Sequence, residues 1–532
     1  MKYFGYLFFL VVICVSLFTN CAKRGTITGG PMDSIPPVLL KATPENFSTH
    51  FNEKIIKLTF DEYIKLDKIN QQLIISPPMD YMPEITPMGL PNKTITVKIL
   101  DTLKDNTTYS INFGESIVDN NEGNKYPSLR YVFSTGDYID SLTVTARIKD
   151  AISKKNNSYT KIMLYDAETF TDSTVFQSKP LYVANSLDSL ITVSVENVKE
   201  GKYHLFALHE SNNNYKFDPA TDKIAFLDHI ITTPNDTVYD LVLFQEDKKL
   251  NFGRPSMLSA NKWLIAAEGD LSDTKIEVSD FQTTLPSAFY KVSNKDSLHV
   301  FIPPTNADSL QFKITSKDFV SEQVVRTRTQ KLSDSLDIRL SHNGSIDFMS
   351  HLKVSATTPM TKVDTSLIYI NKQDQNIPFS ITMDTLANEF TILFDKEENS
   401  EYTATFLPKA IEDVFGSVND TLRAQLKTGP LTDYANLAIQ INHNTESPLI
   451  LQLLNDKEDI LFTQNVSQDN KVYFQSIKPA LYFIRIIVDE NANGKWDTGN
   501  YLLKRQPERI INIPSPIDVR ANWEMNENIT IP

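Results

Sequence analysis

Cysteine is almost missing from this chain: its 532 residues carry two, Cys14 and Cys21. Nothing beyond residue 21 can therefore be cross-linked internally, and stability has to come from buried cores. Glycine is scarce too, with 16 residues, well under the usual ~7%, which excludes collagen-like and Gly-rich linker architectures. Positive charge is in deficit, since 52 Lys+Arg against 66 Asp+Glu leave a net charge of −14. A nucleic-acid partner would need a concentrated basic surface, so that class is excluded. Long apolar runs are missing outside the N-terminus. The motifs H-E-x-x-H, G-x-S-x-G and the phosphate-cradling G-x-x-x-x-G-K-S/T are also missing. His204 and His209 are the closest histidine pair, but five residues apart in a strand puts them on opposite faces, better suited to packing and solvent than to zinc. Asp61 and Glu62 are adjacent on a strand and point apart, so they form no acid/base pair. The chain is expected not to be an enzyme. A hydrolase whose carboxylates converge from distant segments stays open as an alternative.

What is present is enough apolar matter to build several cores: 41% hydrophobic and 10% aromatic residues. Against a prior of ~150 residues per domain, the length suggests four or five domains. Short alternating runs recur, such as Ile56-Lys57-Leu58-Thr59-Phe60, Thr94 to Ile99 and Phe390 to Phe394, and period-two alternation fits strands with one buried face. Asn/Asp-rich stretches such as Asp119 to Asn124 separate them, and these residues tolerate the left-handed turns that scarce glycine would otherwise supply. Helical periods of twelve or more residues are hard to find. The fold class is all-β, a string of β-sandwiches.

The N-terminus reads as an export signal. Met1 and Lys2 precede Phe4 to Phe18, apolar except for Gly5 and Ser16; the run suits a signal peptide (1–20) and is too short for the ~20 residues that span a bilayer. Leu17-Phe18-Thr19-Asn20-Cys21 then resembles the lipobox of a bacterial lipoprotein, with Phe18 in place of the usual Leu and Asn20 larger than the usual small residue. That resemblance implies a covalent lipid on Cys21 and membrane lipid as a partner, with an uncleaved anchor or unlipidated cleavage as alternatives. Residues 21–33 would be the lipidated cysteine and a flexible tether. Ala22, not Asp, follows the cysteine, which resembles outer-membrane sorting. Lys23 and Arg24, where surface-exported lipoproteins carry acids, favour the periplasmic face.

Two internal repeats organise the body. Ile56-Lys57-Leu58-Thr59 aligns with Leu352-Lys353-Val354-Ser355, Asn106-x-x-Tyr109 with Asn399-x-x-Tyr402, Ile117-Val118-Asp119 with Ile411-Glu412-Asp413, and Phe133 to Gly136 with Leu426 to Gly429. The first copy opens with Asp33-Ser34-Ile35-Pro36-Pro37 and carries Phe60-Asp61-Glu62. It resembles the bacterial Ig-like domain of the SbsA type over residues 34–136. The second copy, 345–429, lacks the Phe-Asp-Glu signature and is the weaker match. The other repeat aligns Tyr203–Asp218 with Tyr482–Asp497 without a gap. A strand running into an Asp/Asn loop resembles transthyretin-like or carboxypeptidase-regulatory-like sandwiches, assigned to 137–245 and 430–532. Residues 246–344 form a middle β domain without a recognised family. The whole resembles Ig-like lipoproteins of Bacteroidota.

Asp489-x-Asn491-x-Asn493-Gly494-x-x-Asp497 is the most specific motif. An EF-hand-type calcium loop supplies oxygens at positions 1, 3 and 5, a backbone carbonyl at 7 and a direct or water-mediated ligand at 9, with Gly at 6. Asp489, Asn491 and Asn493 would be side-chain ligands, Lys495 would give its carbonyl, and Asp497 would close the set. Asn500 replaces the bidentate Glu of position 12, so affinity should be weak. A metal-free Asx-rich turn is the competing reading. The first copy offers Glu210, Asn212, Asn214 and Asp218, but Tyr215 stands where Gly is wanted and should resist positive φ, which favours an ordinary turn. The functional expectation is a non-enzymatic, outer-membrane-anchored lipoprotein, a structural or protein-binding scaffold whose partners are envelope proteins. The alternative is a glycan-binding accessory lipoprotein for uptake. Most of the 21 Tyr and 30 Phe fall at alternating strand positions where core packing is the default.

Overall fold

The computed structural model describes residues 33–531 apart from 156, 188–190, 318 and 331. The signal run, Cys21 and most of the tether lie outside the described residues. Among the described residues, the only helices are the single turns Ile69–Gln72 and Thr174–Gln177 and the 3-10 turns Thr365–Leu367 and Leu431–Asp433. No described helix is long and apolar enough to cross a membrane. The chain is all-β. It divides into two compact units, residues 1–141 and 142–532.

In the first unit, Ile55–Leu66 is the central strand, pairing antiparallel with Leu39–Thr43, Asn92–Lys98 and Ile117–Asp119. A second sheet joins Ile74–Ser76, Thr108–Asn112 and Arg130–Ser134. The alternation works as read: Ile56, Leu58 and Phe60 are buried while Lys57 is exposed. They meet Phe113, Tyr131 and Phe133 in one core.

The second unit holds a core in each of four successive stretches. The first, built on Val144, Leu164, Leu205 and Leu243, centres on Leu142–Asp150. That strand pairs antiparallel with Thr192–Val198 and parallel with Val238–Gln245. Trp263, Val300 and Phe312 anchor the next core, and Val354, Phe390, Tyr402 and Phe406 the one after it. The last, built on Ile439, Leu451, Phe474 and Ile486, centres on Ala435–Asn442, again antiparallel to one neighbour, Lys471–Ile477, and parallel to the other, Glu524–Thr530. The strands of the stretch 345–429 also pair with strands that precede residue 345. Ile338–Leu340 pairs with Leu352–Ala356, and Gly344–Ser345 pairs with Leu422–Lys427.

Both repeats are visible as duplicated hydrogen bonds. Tyr109 Oη accepts the Lys104 N–H at 2.9 Å, and Tyr402 Oη accepts that of Glu397 at 2.6 Å. Thr135 Oγ1 accepts the Thr107 N–H, as Thr428 Oγ1 accepts that of Ser400. Buried Asp119 and Asp413 each gather the N–H groups of the turn that follows. In the other repeat, Tyr203 Oη donates to the Lys199 carbonyl at 3.0 Å and Tyr482 Oη to that of Lys478 at 2.9 Å.

Candidate functional site: two matched Asx loops and the seam between their sandwiches

Each loop follows a strand most of whose apolar side chains are buried, Gly201–His209 in one copy and Ala480–Val488 in the other. The strand's last step delivers a buried carboxylate, Glu210 or Asp489. Glu210 accepts the N–H groups of Asn214 (3.0 Å) and Tyr215 (2.9 Å). Asp489 accepts those of Asn493 (3.0 Å) and Gly494 (2.7 Å). Asn214 Oδ1 and Asn493 Oδ1 accept the N–H two residues on, from Lys216 and Lys495. Positive φ recurs at matching places, 53° at Asn213 and 58° at Ala492, then 59° at Tyr215 and 80° at Gly494.

Tyr215 therefore takes the conformation expected to exclude it. Its ring is buried and lies 5.3 Å from the Lys161 ammonium, and that packing offsets the backbone cost of about 1 kcal/mol or more. Burial, then the nearby Glu210 charge, pushes the Tyr215 hydroxyl up to about 12.

The copies differ in what faces the carboxylate. In the first, Lys161 Nζ sits 2.9 Å from Glu210 Oε1 and 2.7 Å from Asn213 Oδ1, with both charged side chains buried. Lys161 pairs with Leu208 across the sheet, while the counterpart of Leu208, Ile487, pairs with Ile450. The second copy thus has an isoleucine where the first has an ammonium. Of the first-copy candidates, Asn214 Oδ1 is taken by a backbone N–H and Asp218 Oδ1 accepts from the Ala220 N–H. Asn212 is exposed.

In the second copy, the side-chain amides of Asn491 and Asn493 both donate to Asp497 Oδ2. Burial alone would raise the Asp497 carboxyl; these two amides, with the nearby Lys495 and Arg505 charges, outweigh it and hold the group below its ordinary value. The Lys495 ammonium lies 3.9 Å from the same carboxylate. Glu508, not singled out from sequence, braces the loop from outside. Its carboxylate accepts the Glu490 and Asp497 N–H groups at 2.9 Å each, while its carbonyl accepts the Trp496 indole N–H at 3.0 Å. The loop residues that could face a cation are thus drawn together but engaged with one another. Among the described residues, no group of three or more His, Cys, Asp or Glu is arranged to hold a metal. His204 stacks on Phe170 at 4.1 Å, a packing role.

The stretch after the second loop docks on the sandwich of the first. Tyr501 is fully buried, its ring 5.8, 5.6 and 5.4 Å from those of Phe176, Phe206 and Phe226. Glu246 Oε1 accepts the Tyr501 N–H at 2.6 Å, Thr498 Oγ1 donates to the Gln245 carbonyl, and the Gln506 amide donates to that of Phe226. At the other end of the seam, Arg485 Nη2 donates to the Ile152 carbonyl (3.0 Å) and to Glu458 (3.2 Å), while Glu458 accepts the Lys154 N–H. No sequence motif marks this seam. The nearest signal is Gly499, where a Cβ would fall 2.5 Å from the Phe244 ring.

Fold and site together define a multidomain β-sandwich protein whose second unit is closed by contact between its duplicated modules. Residues 33–135 match the bacterial Ig-like domain family. Among curated proteins none matches the chain. Of solved structures, the surface-layer protein SbsC, domains 1–6, aligns over 91% of this chain and 67% of its own at 12% identity and a TM-score of 0.17. BcpA, the major pilin subunit of Bacillus cereus, aligns over 74% and 99% at 10% identity and a TM-score of 0.15.

Proposed function

We propose that this protein is a non-enzymatic lipoprotein, anchored through Cys21 in the outer membrane and facing the periplasm, whose β-sandwiches serve as a scaffold for envelope proteins. The observation that carries the scaffold reading is the seam, which holds two duplicated modules in fixed register through buried aromatic and backbone contacts. A fixed arrangement of sandwiches suits the presentation of surfaces to other proteins. The anchoring rests on the Leu17–Cys21 sequence. Acyl chains bind membranes with about 0.8 kcal/mol per buried CH₂. Cys21→Ser should release the protein from the membrane fraction, or leave an unprocessed precursor, and abolish acyl labelling. Unchanged fractionation and labelling would refute the anchor. Crosslinking in intact cells followed by pulldown would identify the partner.

A weak calcium site at Asp489, Asn491, Asn493, Lys495 and Asp497 accompanies this reading. Ile450 in place of Lys161 supports it, because the Asp489 carboxylate lacks the internal ammonium that its counterpart Glu210 has. Extracellular calcium modules work at ~10⁻⁴–10⁻³ M. At ten times the dissociation constant, binding adds about 1.4 kcal/mol. Millimolar calcium should raise the melting temperature and change Trp496 emission, EDTA should reverse both, and Asp489→Ala should abolish them. If wild type shows neither change, the loop is an Asx turn and nothing more.

A further inference from the structure

The four-stranded sheet of the middle stretch ends in Phe319–Arg326, which among the described residues pairs only with Ser309–Ser316. Beside this edge, against the turn that leads into Ser256–Ser259, lies a cavity of about 710 Å³. Arg254, Arg326 and Arg328 all line it, three of the twelve arginines in a chain whose net charge is −14. Among the described residues no carboxylate lines the cavity, and none of the three guanidiniums makes an ion pair. Arg254 donates to the Val324 carbonyl at 3.4 Å. Other arginines do have carboxylate partners, as in Arg147–Asp240, Arg485–Glu458 and Arg520–Asp518.

Guanidinium is the side chain best matched to carboxylate, sulfate or phosphate, because its planar fork gives two parallel hydrogen bonds. Three unneutralised forks around one cavity select a ligand with more than one oxyanion. The volume falls within the ~300–1,000 Å³ of small-molecule sites and exceeds what a single inorganic anion fills. The rest of the lining is hydroxyl-bearing, with Ser256, Ser309 and Thr327, beside apolar surface from Met257 and Val324. That combination suits a sugar, whose hydroxyls need partners and whose C–H face is apolar.

We propose that this cavity binds an acidic saccharide, with Arg254, Arg326 and Arg328 holding its carboxylate or sulfate groups. The site is independent of membrane anchoring, so the Cys21→Ser result does not bear on it. The test uses the full chain and four polymers: polygalacturonate (carboxylate), heparin (sulfate), dextran (neutral) and polyglutamate (an acidic peptide). Titration calorimetry should show binding to at least one acidic saccharide, tighter than to dextran or polyglutamate and weakened by added salt. R254Q/R326Q/R328Q should lose about tenfold or more in affinity with an unchanged melting temperature, since all three side chains are exposed. A charge-matched variant outside the cavity lining, K41Q/K57Q/R423Q, should bind like wild type. If the triple variant is destabilised, R328Q alone should still weaken binding measurably. No binding to either acidic saccharide, equal loss in the charge-matched variant, or polyglutamate bound as tightly would each overturn the assignment.

Discussion

Lys161 shows how one residue can set apart two loops that share their turn hydrogen bonds. It opens a strand that continues Ile162-Met163-Leu164, and in sequence a lysine at a strand end reads as solvent-facing. Only pairing against Gly201–His209 buries it beside Glu210. Removing one partner of a buried ion pair leaves the other charge uncompensated, typically a loss of 3–5 kcal/mol. Lys161→Met should therefore destabilise the second unit by about 3 kcal/mol in denaturant unfolding, and K161M/E210Q should recover much of that. If the single variant unfolds like wild type, Glu210 is held by its backbone N–H groups alone. The same pair explains why Tyr215 could not be read correctly from sequence. Its positive φ is accompanied by packing on a cation, Lys161, that is remote in sequence, whereas Gly494 takes the same turn with no such contact.

Among the elements, the strands and the loops were the legible part. Ile56, Leu58 and Phe60 alternate in sequence and in burial, and the gapless alignment of Tyr203–Asp218 with Tyr482–Asp497 foretold loops that now share carboxylate, turn hydrogen bonds and φ pattern. The segment 498–506 was not legible. Tyr501, Phe206, Phe226 and Phe244 look like ordinary core aromatics until two remote modules are brought together, and no periodicity encodes that meeting. Nor was the strand Ile338–Leu340, short enough to pass as linker. Gly499 carries the sharpest consequence. A methyl group there would meet the Phe244 ring and the Arg505 carbonyl, at 2.5 and 2.8 Å. Overpacking of this kind costs about 1–3 kcal/mol. Gly499→Ala should lower the melting temperature and speed hydrogen exchange in 498–506 and at Gln245 and Glu246. Unchanged exchange at both would mean the segment is not seated on the aromatic cluster.

On the scale of the molecule, joins between modules are the usual places for proteases to enter. The contacts are more selective. Residues 245 and 246 are tied to the seam, the Tyr290 hydroxyl donates to the Thr357 carbonyl, and the Lys291 N–H donates to that of Leu386. Cleavage requires local opening of the backbone. Limited proteolysis should therefore cut first near Asp137 and Tyr138, exposed residues close to the boundary between the two units. The 142–532 unit should persist as one fragment well after that cut. Early cleavage between 245 and 255 would show that the seam opens readily. Circular dichroism should be dominated by β signal.

The seam also bears on how the protein would respond to being pulled. Because the sandwich that begins at Leu142 is clasped by the one that ends the second unit, tension applied across that unit runs through Tyr501 and Arg485 before it reaches the residues between. The two folded modules between are then shielded inside a closed clasp and carry little load until it gives way. A protein built so would be stiff under small forces and would release a long stretch of contour length in one step under large ones, acting as a mechanical fuse and not as a chain of equal springs.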